Sequence, residues 1–251
     1  MAKHKTSPVI DARHLTRIYK MGGSEVIGIN DVSLDISPGE LVVLKGNSGS
    51  GKSTLLSLIA GLDRPTRGYL NVADHDLTKA TPSGLTHFRR EVVGMVFQSF
   101  NLMPTLNVVE NACLPGLLAG KSSNGIKSKA MELLDWLGLS ARWNHLPSQL
   151  SGGEMQRTAI ARALINDPDI ILADEPTGNL DSANGKVVVE LFAEMNRKWD
   201  RTVMIATHSD IADSLATMTI CLKDGMIVDS ACDIAGCRSL HQCATFRSCR
   251  S

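Results

Sequence analysis

Short apolar and polar stretches alternate from about Val9 to Ile36, and within them Val26-Ile27-Gly28-Ile29 and Val32-Ser33-Leu34-Asp35-Ile36 predict half-buried strands. Pro38-Gly39 is a turn into Leu41-Val42-Val43-Leu44, an apolar run of buried-strand length. Ser53 to Ala60 reads as a helix opening, Gly68 to Val72 as a strand, and Val92 to Phe97 as a further strand ending at Gln98. The character then changes. Phe100 to Leu106 is apolar and contains Pro104, while Val108 to Leu118 and Ala130 to Leu137 have helical spacing. Gly120 to Gly125 between them predicts a surface loop. Met155 to Leu164 is helical, Asp167-Pro168 ends it, and Ile170-Ile171-Leu172-Ala173 is a buried strand. Val187 to Met195 predicts an amphipathic helix, Val203 to Ala206 a strand, and Ile220 to Val228 a closing hairpin around Asp224-Gly225.

Strands alternating with helices point to an α/β architecture, and 251 residues suffice for a sizeable core in one domain with room for a subdomain. The formal net charge is +0, so no global field draws the chain onto nucleic acid or an anionic membrane. No apolar run approaches the roughly 18 residues that span a bilayer, and Met1-Ala2-Lys3-His4-Lys5 lacks the apolar stretch of a secretory signal. A cytosolic chain is expected, with any membrane part supplied by another subunit. Of six cysteines, Cys232, Cys237, Cys243 and Cys249 crowd the C-terminal stretch without a C-x-x-C pair. That spacing does not favour zinc, with or without His241, and a loosely ordered tail of reduced thiols is expected over residues 231–251.

The chemistry concentrates in three segments. Gly46-Asn47-Ser48-Gly49-Ser50-Gly51-Lys52-Ser53 fits G-x-x-x-x-G-K-[ST], in which backbone N–H groups wrap around phosphates at the positive end of a helix. Lys52 adds a point charge for the β- and γ-phosphates, and Ser53 offers a hydroxyl to Mg²⁺. The apolar run Ile170 to Ala173 ends in Asp174-Glu175. It places one carboxylate where Mg²⁺ needs an oxygen partner and another where a general base accepts a proton from water. In Leu150-Ser151-Gly152-Gly153-Glu154, the residues Ser151, Gly152 and Gly153 form a second anion-binding helix start. A head-to-tail pair of chains would close each phosphate loop with the other chain's Ser-Gly-Gly turn.

Together these segments resemble the ATP-binding subunits of ABC transporters. Leu150-Ser151-Gly152-Gly153 resembles the family signature, Gly46 to Ser53 the Walker A motif and Ile170 to Glu175 the Walker B motif. Gln98 falls at the Q-loop position, Gly178-Asn179-Leu180-Asp181 resembles the D-loop, His208 the switch histidine, and Tyr19 the aromatic that stacks on adenine. The resemblance covers roughly Val9 to Asp229. Gly61 to Gly68, Val96 to Leu102 and Ala173 to Asp181 look like the lipoprotein-release and macrolide-export ATPases of bacteria, a group that includes a cell-division ATPase paired with a membrane regulator. His208 is followed by Ser209 where that group usually has Asp, and the segment from Ser230 matches no motif.

The resemblance implies one ATPase domain over residues 8–230, with a P-loop core, an N-terminal antiparallel β subdomain and a helical subdomain at about 99–164. It implies hydrolysis of ATP to ADP and phosphate by a homodimer on the inner face of the inner membrane, driving an integral permease-type subunit and binding no nucleic acid. Glu175, His208 and Gln98 would be catalytic, and Ser53, Gln98 and Asp174 would serve Mg²⁺. Tyr19, the loop from Gly46 through Thr54, Ser151 to Gly153, and Asp181 would bind nucleotide. Each has a plainer alternative: Tyr19 as core, Gln98 as a solvated strand end, His208 as a surface histidine, Asp181 as a helix cap. Phe100, Leu102, Met103 and Leu106 are either core or the groove for a membrane subunit. Signalling across the membrane without cargo is an alternative function. So is a non-transport ABC ATPase, although no heptad run lies between Lys52 and Leu150.

Overall fold

The computed structural model describes residues 7–228. The Cys-rich tail and the expected domain end at residue 230 lie outside the described residues. Two long strands, β1 (Ile10–Met21) and β2 (Ser24–Ile36), pair antiparallel, and β3 (Leu41–Lys45) leads into α1 (Lys52–Ile59). Next come β4 (Arg67–Val72), β5 (His75–Asp76), α2 (Pro82–Glu91) and β6 (Val93–Phe97). Helices α3 (Val108–Leu118), α4 (Ser123–Trp136) and α5 (Gly152–Leu164) follow, then β7 (Ile170–Asp174) and α6 (Ser182–Trp199). The described chain closes with β8 (Thr202–Ala206), β9 (Met218–Lys223) and β10 (Met226–Val228).

The strands form two sheets. A four-stranded antiparallel sheet has the order β2-β1-β4-β5, and a six-stranded sheet has the order β10-β9-β3-β8-β7-β6. In the second sheet β9, β3, β8, β7 and β6 are parallel, and only β10 runs against its neighbour. Alternate residues of the central strands enter two different cores. Val42, Leu44, Ile170, Leu172, Met204 and Ala206 join the β subdomain and α1, while Leu41, Val43, Ile171, Ala173, Val203 and Ile205 face the helical layer. A sheet buried on both faces reads as continuous apolar runs, which is why these strands were legible in the sequence. Among the described residues, no helix is long and apolar enough to cross a membrane.

Three expectations change. Val26 to Ile29 and Val32 to Ile36 are one continuous strand with Asp31 in a left-handed conformation (φ 54°), exposed from Ser24 to Ile27 and buried at Ile29. The expected loop at Gly120 to Gly125 ends earlier, because the Ser122 hydroxyl accepts from Gly125 N–H at 3.3 Å and caps α4 there. The amphipathic helix at Val187 to Met195 extends to Ser182–Trp199, capped by Asp181. The closing hairpin forms, with Asp224 (φ 50°) and Gly225 (φ 79°) in its two-residue turn.

Candidate nucleotide-binding site

The phosphate loop joins β3 to α1. Gly51 lies at φ 102°, and a Cβ there would collide with the Gly28 carbonyl, so only glycine allows the loop to pass beneath β2. Lys52 opens α1 and is buried; its ammonium donates to the carbonyls of Gly46 (2.7 Å) and Asn47 (3.2 Å) and lies 3.6 Å from Glu175 Oε1. The lysine is thereby folded back over its own loop.

The ends of β7 and β8 complete the cleft. The Ser53 hydroxyl donates to Asp174 Oδ1 at 3.1 Å, so the two oxygens proposed for a metal ion meet. Burial pushes the Asp174 carboxyl above its ordinary pKa, against the Ser53 hydrogen bond, with Glu175 reinforcing the rise. Glu175 adopts a left-handed backbone (φ 46°) and donates its N–H to Ala206 O at 2.8 Å. Its Oε2 lies 3.0 Å from His208 Nδ1 and accepts the His208 backbone N–H at 3.4 Å. Gln98 lies beside them, its carbonyl accepting from Asn179 Nδ2 at 3.0 Å.

One open cleft of about 730 Å³ is lined by Tyr19, by the loop from Asn47 to Thr54, and by Gln98, Glu175 and His208. The profile of the ABC transporter family matches residues 29–178, from the middle of β2 to the turn after β7. The chain belongs to the ABC transporter family.

This ABC ATPase is 44% identical over 223 residues to the macrolide export ATP-binding/permease protein MacB of Sodalis glossinidius, covering 89% of this chain and 34% of that protein. It therefore spans about a third of the length of that relative. An ABC transporter ATP-binding protein of Mycobacterium tuberculosis is 41% identical over 221 residues, covering 88% of this chain and 89% of the relative. Among solved structures, the dimeric ATP-binding cassette MJ0796, in a post-hydrolysis state with ADP and Pi, superposes with a TM-score of 0.81 at 40% identity. That match covers 87% of this chain and 96% of the other.

The ABC signature lies apart from the cleft of its own chain. Ser151 caps α5 in a reciprocal box: its hydroxyl accepts from Glu154 N–H at 3.3 Å, and Glu154 Oε2 accepts from Ser151 N–H at 2.8 Å. These bonds, with Arg142 Nε at 2.8 Å, hold the Glu154 carboxyl down to about 2. Asp181 accepts from Asn184 N–H (2.9 Å) and Asn184 Nδ2 (2.6 Å), so within one chain it is a helix cap. A Cβ on Gly152 would sit 3.2 Å from Leu180 Cδ2, and one on Gly153 2.5 Å from Asn184 Oδ1. The signature turn and the Asp181 segment therefore form one patch outside the cleft.

Sequence reasoning missed several residues of the site. Val26 and Ile27, 48% and 56% exposed, line the cleft beside Tyr19. Tyr19 is fixed from behind: its hydroxyl donates to Asp63 Oδ2 at 2.9 Å, and the Arg17 guanidinium lies 4.5 Å from its ring centroid while donating to the same carboxylate. Two exposed β-branched residues on an edge strand signal only a strand, and Asp63 enters the sequence reading only as part of the Gly61 to Gly68 segment.

Proposed function

We propose that this ABC ATPase binds ATP and Mg²⁺ in the cleft and pairs head-to-tail with a second copy. We further propose that it powers a separate integral permease-type subunit at the inner face of the membrane. The cargo class would be a lipoprotein, lipid or drug. The carrying observation is the meeting of Ser53 with Asp174 and of Glu175 with His208 at the mouth of a cleft floored by Lys52. A hydroxyl and one carboxylate suit Mg²⁺, which takes few protein ligands and fills its shell with water and phosphate oxygens. Bound there beside Gln98, the ion would neutralise charge on the β- and γ-phosphates.

In this reading Lys52 leaves the Gly46 and Asn47 carbonyls for the phosphates, and Tyr19 stacks on the base. Glu175 orients a water and accepts its proton as the new P–O bond forms and the bridging bond to the β-phosphate breaks. His208 donates to the γ-phosphate. The Ser151 turn and Asp181, outside the cleft in one chain, would meet the nucleotide of the second copy. We assign the ATPase unit to residues 8–230, with the helical part at 99–164 transmitting movement to the permease. The MacB relative is an ATP-binding/permease protein by name, which supports an export system.

Hydrolysis measured across protein concentration tests the paired site. Activity per chain should rise with concentration until dimers saturate. Constant activity per chain down to concentrations where light scattering reports monomers would remove the shared site.

A further inference from the structure

Lys45 is the last residue of β3, is 5% exposed, and has no part in the chemistry above. Gly46, the next residue, opens the phosphate loop. The Lys45 ammonium donates to Ser209 O at 2.8 Å and Asp210 Oδ1 at 2.8 Å, and lies 2.7 Å from Asp213 Oδ1. All three acceptors lie in the turn directly after His208. On the other side of the histidine, Thr207 N–H donates to Leu44 O at 3.1 Å. His208 is thus the single residue between two anchors, and both anchors lie on the last two residues of the strand that feeds the phosphate loop.

We propose that Lys45 is a positioning residue that holds the His208 loop in register with the phosphate loop; this rests on the reading of His208 as the γ-phosphate contact. The chemistry favours a permanent tether. A buried ammonium has three N–H donors and requires acceptors for them, and this turn supplies one carbonyl and two carboxylates. Burial alone would lower the lysine pKa, but hydrogen bonds to Asp210 and Asp213 more than offset it and raise it, so the group stays charged at neutral pH. Ser209 strengthens the turn from within: its N–H donates to Thr207 Oγ1 at 3.0 Å, and its hydroxyl accepts from Ile211 N–H at 3.4 Å. Lys45 itself does not line the nucleotide cleft, so it acts through the loop and not on the substrate.

The test compares steady-state ATP hydrolysis by the full chain with Lys45→Met, His208→Ala and the double variant. Lys45→Met should lower kcat about tenfold while KM for ATP stays within about twofold. The double variant should be no slower than His208→Ala alone, because a loop without its histidine has nothing left to position. Multiplicative losses, or a Lys45→Met kcat at the wild-type value beside an impaired His208→Ala, would overturn the tether. A His208→Ala enzyme at the wild-type rate would instead remove the reading of His208, and the tether with it. Should Lys45→Met fail to fold, Asp210→Asn replaces it, since that side chain is 73% exposed and the core is spared. A fall in kcat of about threefold at unchanged KM supports the tether, and an unchanged kcat overturns it.

Discussion

Nδ1 of His208 lies 3.0 Å from Oε2 of Glu175, joining the ends of two neighbouring parallel strands across the mouth of the cleft. The glutamate reaches that position through a left-handed backbone, a conformation that costs about 1 kcal/mol or more in a non-glycine residue. Its N–H bond to Ala206 O fixes the strained turn. The proposed base and the proposed γ-phosphate contact are therefore placed together before nucleotide arrives.

Lys52 holds its charge against two carbonyls of its own loop and can exchange both for phosphate oxygens. Lys52→Ala should weaken MgATP binding by about 10- to 150-fold, the range for a lost charge-assisted contact of about 1.5–3 kcal/mol. Isothermal titration with MgATP checks this, and unchanged affinity with unchanged hydrolysis would remove the phosphate-loop role.

The Tyr19 ring leaves no room for a side chain at residue 28: a Cβ on Gly28 would lie 2.8 Å from Tyr19 Cε2 and 2.9 Å from Thr54 Cγ2. Gly28→Ala should displace the ring, and Tyr19→Ala should remove a stacking contact of about 1–3 kcal/mol. Both variants should lose ATP affinity, and Tyr19→Ala should still bind inorganic tripolyphosphate as wild type does. An equal loss for both ligands would place the defect in the phosphate loop.

Glu154 sets a pH dependence of the signature turn. Its carboxyl sits near 2 in the folded chain against an ordinary value of 4.5, so its stabilisation is complete above about 4.5. As pH falls toward about 2 the unfolded chain takes up the proton first, and the stabilisation disappears. The stability gap between wild type and Glu154→Gln, from urea unfolding, should be constant from pH 7 to pH 5 and narrow at lower pH. A gap that does not change down to pH 3 would contradict the assignment.

Met103 is 46% exposed, while Phe100 and Leu102 are half-buried, so the apolar cluster after Gln98 divides between core and surface. Asn111 organises it from below, accepting from Met103 N–H at 2.8 Å and donating to Leu106 O at 2.8 Å. Met103→Glu should fold normally and keep its basal ATPase, but lose co-purification with the permease-type subunit. A charge in an apolar interface costs several kcal/mol, which sets the direction. Retained co-purification and retained stimulation would move the coupling surface elsewhere.

The phosphate loop and Asp174-Glu175 were legible because their chemistry requires adjacent residues at the end of a strand buried on both faces. Helix α2 was not: only Leu85 and Phe88 of its ten residues are buried, too few for a periodic signal. Gly125 read as a loop because its part in a capped first turn depends on Ser122. Lys45 carried no signal either, since its partner Asp210 is 165 residues away and only the parallel pairing of β3 with β8 brings them together.

The most direct test of the proposed mechanism is light scattering of Glu175→Gln with MgATP. The amide keeps the shape of the site but accepts no proton, so ATP should remain bound and hold two chains together. A stable dimer that forms with MgATP, dissociates on its removal and hydrolyses ATP far more slowly than wild type is the expected result. A monomer at saturating MgATP that turns over ATP at the wild-type rate would contradict both the base and the shared site.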